Sequence, residues 1–556
     1  MGRMAELVLG PVHRYAGETD ATVWVETSAP CEVEILGRRE PTFCVEGHHY
    51  ALVVIRGLER GRTYPYEVRL DGERRWPEQT SEFPASVIRT LTPGADLDVA
   101  FGSCRVALPH EPPYTLSPDE NERGREWDAL YALALRMRGE PVSRWPDRLL
   151  MLGDQVYVDE GSPGVRDRIR ATRDTSVPPG AGIRDFEEYT WVYRDSWGDP
   201  VIRWLLSTVP SAMVWDDHDM HDDWNISERW VREMRAQPWW QRRVEGGIVS
   251  YWIYQHLGNL TPAELEENEL FARVRGASDA GPRLRELARR AEHEVEGARW
   301  SYRRDWGRVR LVVVDSRAGR VLGDTRHVHH EHKRAMIDDH EWEWLERQCT
   351  GGVDHLLICS SLPIFVLPGL HDLEAWNEAV CDGAWGERAA HWGERVRREL
   401  DLEHWAAFQD SFHRVARLLE DVAAGRRGEP PATICLLGGD VHHAFLAELA
   451  FRRGAGARTR VVEAVCSPFR NDLDRRERRV LRFAASPPGR ALARALAGAA
   501  RVEDPGVRWR LTDGPYFDNQ VATLRIRGRG LEIDVDKTIA GDDRPELERV
   551  CGRRLA

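Results

Sequence analysis

The chain has 556 residues, with 78 lysines and arginines against 91 aspartates and glutamates; its net charge of −13 argues against a dedicated nucleic-acid or anionic-membrane binder. Hydrophobic residues at 42% and charged residues at 30% describe a globular protein with ample core, long enough for three or four ordinary domains. The longest uncharged stretch, Leu356 to Leu370, is interrupted by Ser360, Ser361, Pro363, Pro368 and Gly369, which excludes a membrane span there.

Residues 1–92 read as short strands parted by turn chemistry: Ala21–Thr27, Cys31–Leu36, Tyr50–Ile55 and Tyr64–Leu70, the last followed by Asp71-Gly72. They predict a small all-β sandwich. With no polar constellation inside it, this domain is expected to be a packing or lid module. From residue 97 the texture changes to α/β, with apolar runs alternating with helical patterns. The runs are Leu97–Phe101, Leu149–Leu152, Ala212–Trp215, Val309–Val314, Leu356–Cys359 and Thr433–Leu437. Helical spacing recurs through Trp127, Leu130, Tyr131, Ala134 and Leu135, and again through Trp405, Phe408, Phe412, Val415 and Leu419. A helical insertion is expected around 226–300, where Thr261-Pro262-Ala263-Glu264 supplies an N-cap, a proline at N1 and a capping-box glutamate. Arg475 to Arg501 is arginine-rich and partly helical; with Asp and Glu close by, it reads as a solvated face rather than a membrane-surface helix. Strand patterns Val521–Ile526 and Leu531–Val535 close the domain at 540, and 541–556 reads as a C-terminal tail.

Five of the apolar runs end in reactive side chains. They lead into Gly102-Ser103-Cys104-Arg105, Gly153-Asp154-Gln155-Val156-Tyr157, Asp216-Asp217-His218-Asp219, Asp315-Ser316-Arg317 and Gly438-Gly439-Asp440-Val441-His442-His443. Open α/β sheets bind ligands beyond the carboxyl ends of their strands, so these tips would build one polar cluster. A single Asp after a strand is ordinary turn chemistry. Three carboxylates packed as tightly as Asp216, Asp217 and Asp219 repel one another unless solvated or sharing a cation. Asp440 and His442, two residues apart on an extended segment, point to one side, whereas His443 points to the other. A metal cluster follows. Arg105 and Arg317 sit in the same cluster, where a guanidinium fork suits phosphate.

The ordered set -FGSCR-, -GDQVY-, -WDDHD-, -DSR- and -GGDVHH- resembles the PhoD-like alkaline phosphatases, a branch of the calcineurin-like metallophosphoesterases, over roughly residues 97–540. That resemblance implies an α/β/β/α-layered sandwich behind the small β domain, and metal-dependent hydrolysis of phosphomonoesters, phosphodiesters or both. By the same resemblance, Cys104, Asp154, Tyr157, Asp217, Asp440 and His442 occupy metal-ligand positions, with Asp216 grouped beside them. His218 matches the histidine that follows the metal-binding position at Asp217, and it is expected to protonate the leaving oxygen. Arg105 is expected to stabilise developing charge and Arg317 to bind substrate. A thiolate and a phenolate on one metal imply Fe(3+), with Ca(2+) on the carboxylate-rich side. Free Cys and Tyr ionise near ~8.5 and ~10, so binding as anions at neutral pH needs a strong Lewis acid. The expected partner is a small-molecule phosphoester.

Other classes fall away. Lys333 and Lys537 are the only lysines, so there is no P-loop and little room for Schiff-base chemistry. Nine cysteines without a CxxC pair, and an N-terminus (MGRMAELVLG) without a basic-then-apolar leader, point to the cytoplasm. An iron oxidoreductase lacks its plain two-His-one-carboxylate triad. A non-catalytic metal-binding protein that keeps the fold is the competing reading. His327, His329, His330 and His332 read as a solvated loop, and the paired tryptophans Trp239-Trp240 and Trp342/Trp344 as packing.

Overall fold

The computed structural model describes residues 4–159, 161–294, 298–323, 334–473, 475–541 and 544–556. The histidine tract from His327 to His332 lies outside the described residues.

Two four-stranded antiparallel sheets build the N-terminal domain. One has the order Leu7–Ala16, Asp20–Thr27, His48–Arg56, Phe43–Val45; the other has Arg38–Pro41, Glu32–Ile35, Val68–Leu70, Glu73–Trp76. Period-two alternation explains how the first sheet serves two cores. Along Asp20–Thr27, Ala21, Val23 and Val25 enter the sandwich core with Val33, Ile35 and Val53. On the opposite face Trp24 packs against Trp197 and Tyr254 of the larger domain. The expected strand Tyr64–Leu70 is two pieces: Thr63–Pro65 pairs with Val87–Arg89, and Val68–Leu70 joins the second sheet. Pro65, lacking an N–H, ends the first piece.

The larger domain has a six-stranded and a seven-stranded sheet. The first holds Leu97–Gly102, Arg148–Leu152 and Ser211–Val214 in parallel. The second holds Val309–Val314, His355–Ser360, Thr433–Gly438 and Arg460–Val465 in parallel. The sheets meet face to face, with Tyr302 Oη donating to the Met213 carbonyl at 3.1 Å and Trp215 Nε1 to Asp315 Oδ1 at 3.0 Å. Helix Ala129–Arg138 covers the first sheet and Asp339–Gln348 the second, which completes the α/β/β/α order.

Residues beyond 540 are not a tail. Pro545–Arg554 is a strand paired antiparallel with Gly530–Ala540, placing Cys551 opposite Val535. Only one face of it is covered, so charged residues dominate its sequence and hide the pattern. Helices Glu228–Arg235, Trp240–Ser250, Pro262–Glu267, Glu269–Arg275 and Gly281–His293 occupy the 226–300 region. The capping box closes reciprocally: Thr261 Oγ1 accepts from Glu264 N at 3.1 Å, and Glu264 Oε2 from Thr261 N at 2.7 Å.

Candidate metal centre

The parallel strands all end at one edge, and several turn there through left-handed backbone. Cys104, Asp154, Asp440 and His442 have φ of 55°, 52°, 64° and 51°. Such conformations cost a non-glycine residue energy and persist where surrounding structure imposes them, which is common at functional sites. Two glycines let the turns interlock. A Cβ on Gly153 would lie 2.7 Å from that of Asp216, and one on Gly439 would lie 2.4 Å from Ser103 Oγ and 2.8 Å from the Leu152 carbonyl.

The result is a convergence of carboxylates. Asp154, Asp216, Asp217 and Asp440 each offer an oxygen, all within 4.8 Å of one another, and a His218 ring nitrogen forms a like group with Asp154 and Asp217. Asp154 Oδ1 and Asp216 Oδ2 are buried without a hydrogen-bond partner, whereas Asp217 Oδ1 meets only the Arg317 guanidinium, at 3.2 Å. Burial, reinforced by neighbouring charges, pushes the Asp154 and Asp216 carboxyls well above the usual range. Asp440 goes the other way: burial opposes ionisation, but hydrogen bonding to His404 and the Arg317 charge hold it well below that range. The remaining donors flank the cluster. Tyr157 Oη donates to Asp154 Oδ2 at 3.2 Å, and Cys104 Sγ lies 3.5 Å from the Asp440 carbonyl. Burial and nearby anions push the Cys104 thiol up to about 12 and the Tyr157 phenol well above its ordinary value. His442 Nδ1 is engaged with the Asn471 carbonyl at 2.6 Å, leaving Nε2 as its possible ligand atom. Orphaned buried oxygens, with a thiol and a phenol that ionise only beside a strong Lewis acid, fit bound cations.

His218 stacks on the Tyr157 ring at 4.3 Å, with Nε2 3.7 Å from Asp222 Oδ1. Burial works against its charged form, yet Asp217, Asp154, Asp222 and Asp159 outweigh it and raise the imidazole to about 9. The segment carrying Asp440 and His442 is bent rather than extended, and His443 packs apart from them, with Nδ1 2.6 Å from the Val441 carbonyl and its ring against Phe445 and Phe517.

Both arginines differ from expectation. Arg105 is buried away from the cluster, donating to Asp128 Oδ2 at 2.7 Å and to the Ser196 carbonyl at 2.7 Å. Its Nε and Nη1 are taken up by these acceptors from other parts of the chain. Arg317 is fully buried beneath the carboxylates rather than open to substrate. It binds Asp216 through Nε, Glu403 through Nη1 at 2.5 Å and Asp440 through Nη2 at 3.3 Å, with Asp217 3.2 Å away.

Four further residues shape the site. Asp219 accepts the backbone N–H of Asp154, Gln155 and Asp216 at 3.0, 3.1 and 2.9 Å, which locks the two aspartate turns together. His404 bridges Glu374 at 2.6 Å and Asp440 at 3.3 Å, while Glu403 ties Arg317 to Arg320. Asn471 Nδ2 donates to Tyr157 Oη at 3.2 Å. Of these, only Asp219, inside the Asp-Asp-His-Asp run, is singled out by the sequence; Glu403 and His404 follow no strand, and Asn471 lies six residues beyond Arg460–Val465, a strand not among the predicted apolar runs.

Residues 4–88 match the model of a domain of unknown function (DUF7800), and residues 124–499 match the model described as PhoD-like phosphatase. No curated protein matches the chain. A solved structure described as that of PhoD superposes with a TM-score of 0.59 at 12% identity, covering 99% of this chain and 92% of that one, which shows a shared fold. A maltogenic amylase structure from S. marinus reaches a TM-score of only 0.15 and carries no argument. With well over half of its length matched by one family's model, on the same layered fold, the chain belongs to the PhoD-like phosphatases, a family of metal-dependent phosphoester hydrolases.

Proposed function

We propose that this protein hydrolyses phosphomonoesters, phosphodiesters or both at the strand-end cluster. The observation that carries this reading is the convergence of Asp154, Asp216, Asp217 and Asp440, with partnerless buried oxygens, beside His218. Cys104 and Tyr157 would hold ferric iron, and calcium would sit on the carboxylate-rich side with Asp217, Asp440 and His442. Bound there, the cations would neutralise phosphate oxygens and make a water acidic enough to attack phosphorus. His218, beside Asp154 and Asp217 at the edge of the cluster, is placed to deliver a proton to the leaving oxygen. Tyr157 fixes the imidazole plane by stacking. Arg317 offsets part of the negative charge from below, and Asp219 holds the loop geometry. Nine free cysteines support a cytoplasmic setting.

Hydrolysis of p-nitrophenyl phosphate against bis-p-nitrophenyl phosphate, with metal analysis, tests the reading; full activity in strong chelator would overturn it. His218→Ala should keep its metal and lose ~10²–10⁴ in rate, the usual worth of a general acid, with the larger losses on alkyl leaving groups. Loss of metal with a penalty blind to the leaving group would reassign His218 as a ligand, which its place within 4.8 Å of Asp154 and Asp217 also permits.

A further inference from the structure

The arginine-rich segment 475–501 folds as two helices, Arg475–Ala485 and Pro487–Ala499, with Ser486 Oγ capping the second by accepting from Gly489 N at 3.3 Å. The first helix shows which way it faces. Leu481 and Ala485 pack against the cluster of Leu367, Phe445, Ala447 and Val465, and Arg478 turns in to Asp472 at 2.6 Å. Helical spacing therefore sends Arg476, Arg479, Val480 and Phe483 outward together. Val480 is 58% exposed and Phe483 55%, and Leu492 on the second helix is 56% exposed. Arg475, Arg482, Arg490 and Arg494 are exposed on these same helices.

The exposed apolar residues are concentrated. Among the described residues, the large hydrophobics left exposed elsewhere are only Met4, Leu36 and Val177. Trp385, Trp392 and Leu400 join Val480, Phe483 and Leu492 in one helical layer, since helix Pro368–Cys381 packs on Glu387–Glu399 and on both arginine-bearing helices. The layer adjoins the metal centre. Its first helix follows closely on Asn471, which touches Tyr157 and His442, and Arg482 lies 5.2 Å over the ring of Phe517, itself 5.7 Å from His443.

A face that sets Phe483 and Val480 among arginines suits the boundary of an anionic bilayer, where apolar side chains enter the acyl edge and guanidinium groups meet phosphate headgroups. The charge is local: the chain as a whole is at −13, so this face stands out against a repelling body. We propose that helix Arg475–Ala485, with Leu492 beside it, docks the protein peripherally on anionic phospholipid membrane and brings the strand-end site close to that surface. Of the nearby acids, Asp472 is turned inward to Arg478 and Asp119 pairs with Arg475, while Glu477 stays exposed on the helix, so Arg479 and Arg482 carry the charge of the docking face.

Sedimentation of the full chain with phosphatidylglycerol/phosphatidylcholine vesicles, against phosphatidylcholine alone, tests docking without reference to phosphatase activity. Co-sedimentation with the anionic vesicles only, falling steeply as salt rises, is expected. Arg479→Gln with Arg482→Gln should weaken partitioning about 30-fold, from roughly five-fold per arginine. Val480→Ser with Phe483→Ser should weaken it at least about ten-fold. Unchanged thermal melting of each variant keeps the comparison clean. Failure to sediment with anionic vesicles at low salt, or sedimentation untouched by both double variants, overturns the proposal. So does capture of a short DNA or RNA oligonucleotide by this face without vesicle binding.

Discussion

Two buried polar networks in this molecule use the same residue types and end differently. Where the N-terminal domain meets the larger one, Arg14 donates to the carbonyls of Tyr254, Gln255 and Ser211 at 2.5, 2.8 and 3.2 Å and to Asn259 Oδ1 at 3.1 Å. Nearby Glu26 accepts from Arg194 at 2.6 Å and from Tyr254 Oη at 3.3 Å. At the strand ends, Asp154, Asp216 and Asp217 are as deeply buried, yet Asp154 and Asp216 each keep an oxygen with no partner. Burial and charge are common to both networks; satisfaction is not. Single buried polar atoms go unpaired elsewhere too, Gln255 Oε1 and Trp24 Nε1 at the domain contact among them, so it is the convergence of several carboxylates around unpaired oxygens that marks where something else binds.

The sharpest way to break this contrast is to remove a member of each network. Asp154→Ala should cost at least about 10³-fold in phosphoester hydrolysis and lower metal content. Freed of metal, the same variant should unfold no more easily than the parent, because a repelling carboxylate has gone. A metal-free variant clearly less stable than its parent would show Asp154 to be architectural.

Glu26→Ala should behave oppositely. Its side chain is fully buried, and its loss takes the carboxylate from Arg194, so unfolding in urea should become easier by about 3 kcal/mol. Metal content and the turnover of the folded protein should not change. A fall in metal content without loss of stability would erase the distinction.

The smallest effect is a pH dependence at the same domain contact. His48 Nε2 meets Glu187 at 2.6 Å, and its Nδ1 lies 2.9 Å from Arg194 Nη2 and 3.6 Å from Glu26. Burial opposes protonation there, but these two carboxylates prevail and raise the imidazole to about 9. A folded pKa above the unfolded value of ~6.5 means a contribution fully present below pH ~6.5 and lost as pH climbs through about 9. On the acid side, hydrogen bonding to His48 holds the Glu187 carboxyl down to about 2, so its share is present above pH ~4.5 and lost below. Chemical unfolding should weaken by on the order of 1–2 kcal/mol between pH ~6.5 and 9. His48→Gln should flatten that slope; an unchanged slope would remove His48 from the contact.

What the sequence by itself determined is local. Apolar runs that end in Gly-Asp, Asp-Asp-His or Gly-Gly-Asp-x-His specify strands whose tips carry ligand chemistry, since strand and turn propensities act over a few residues. Asp154, Asp216, Asp217, His218 and Asp440 were legible for that reason, as were the β sandwich in front and the capping box at Thr261. Tertiary structure decided where each cation points. Arg105 and Arg317 both follow strand ends, but Asp128, Asp216 and Glu403, brought from distant parts of the chain, take their guanidinium groups into the interior. It also decided the positions of His404, Glu403 and Asn471, and it made Pro545–Arg554 an edge strand of the first sheet. Pairing partners and buried charge neutralisation are properties of the assembled layers, and no window of sequence contains them.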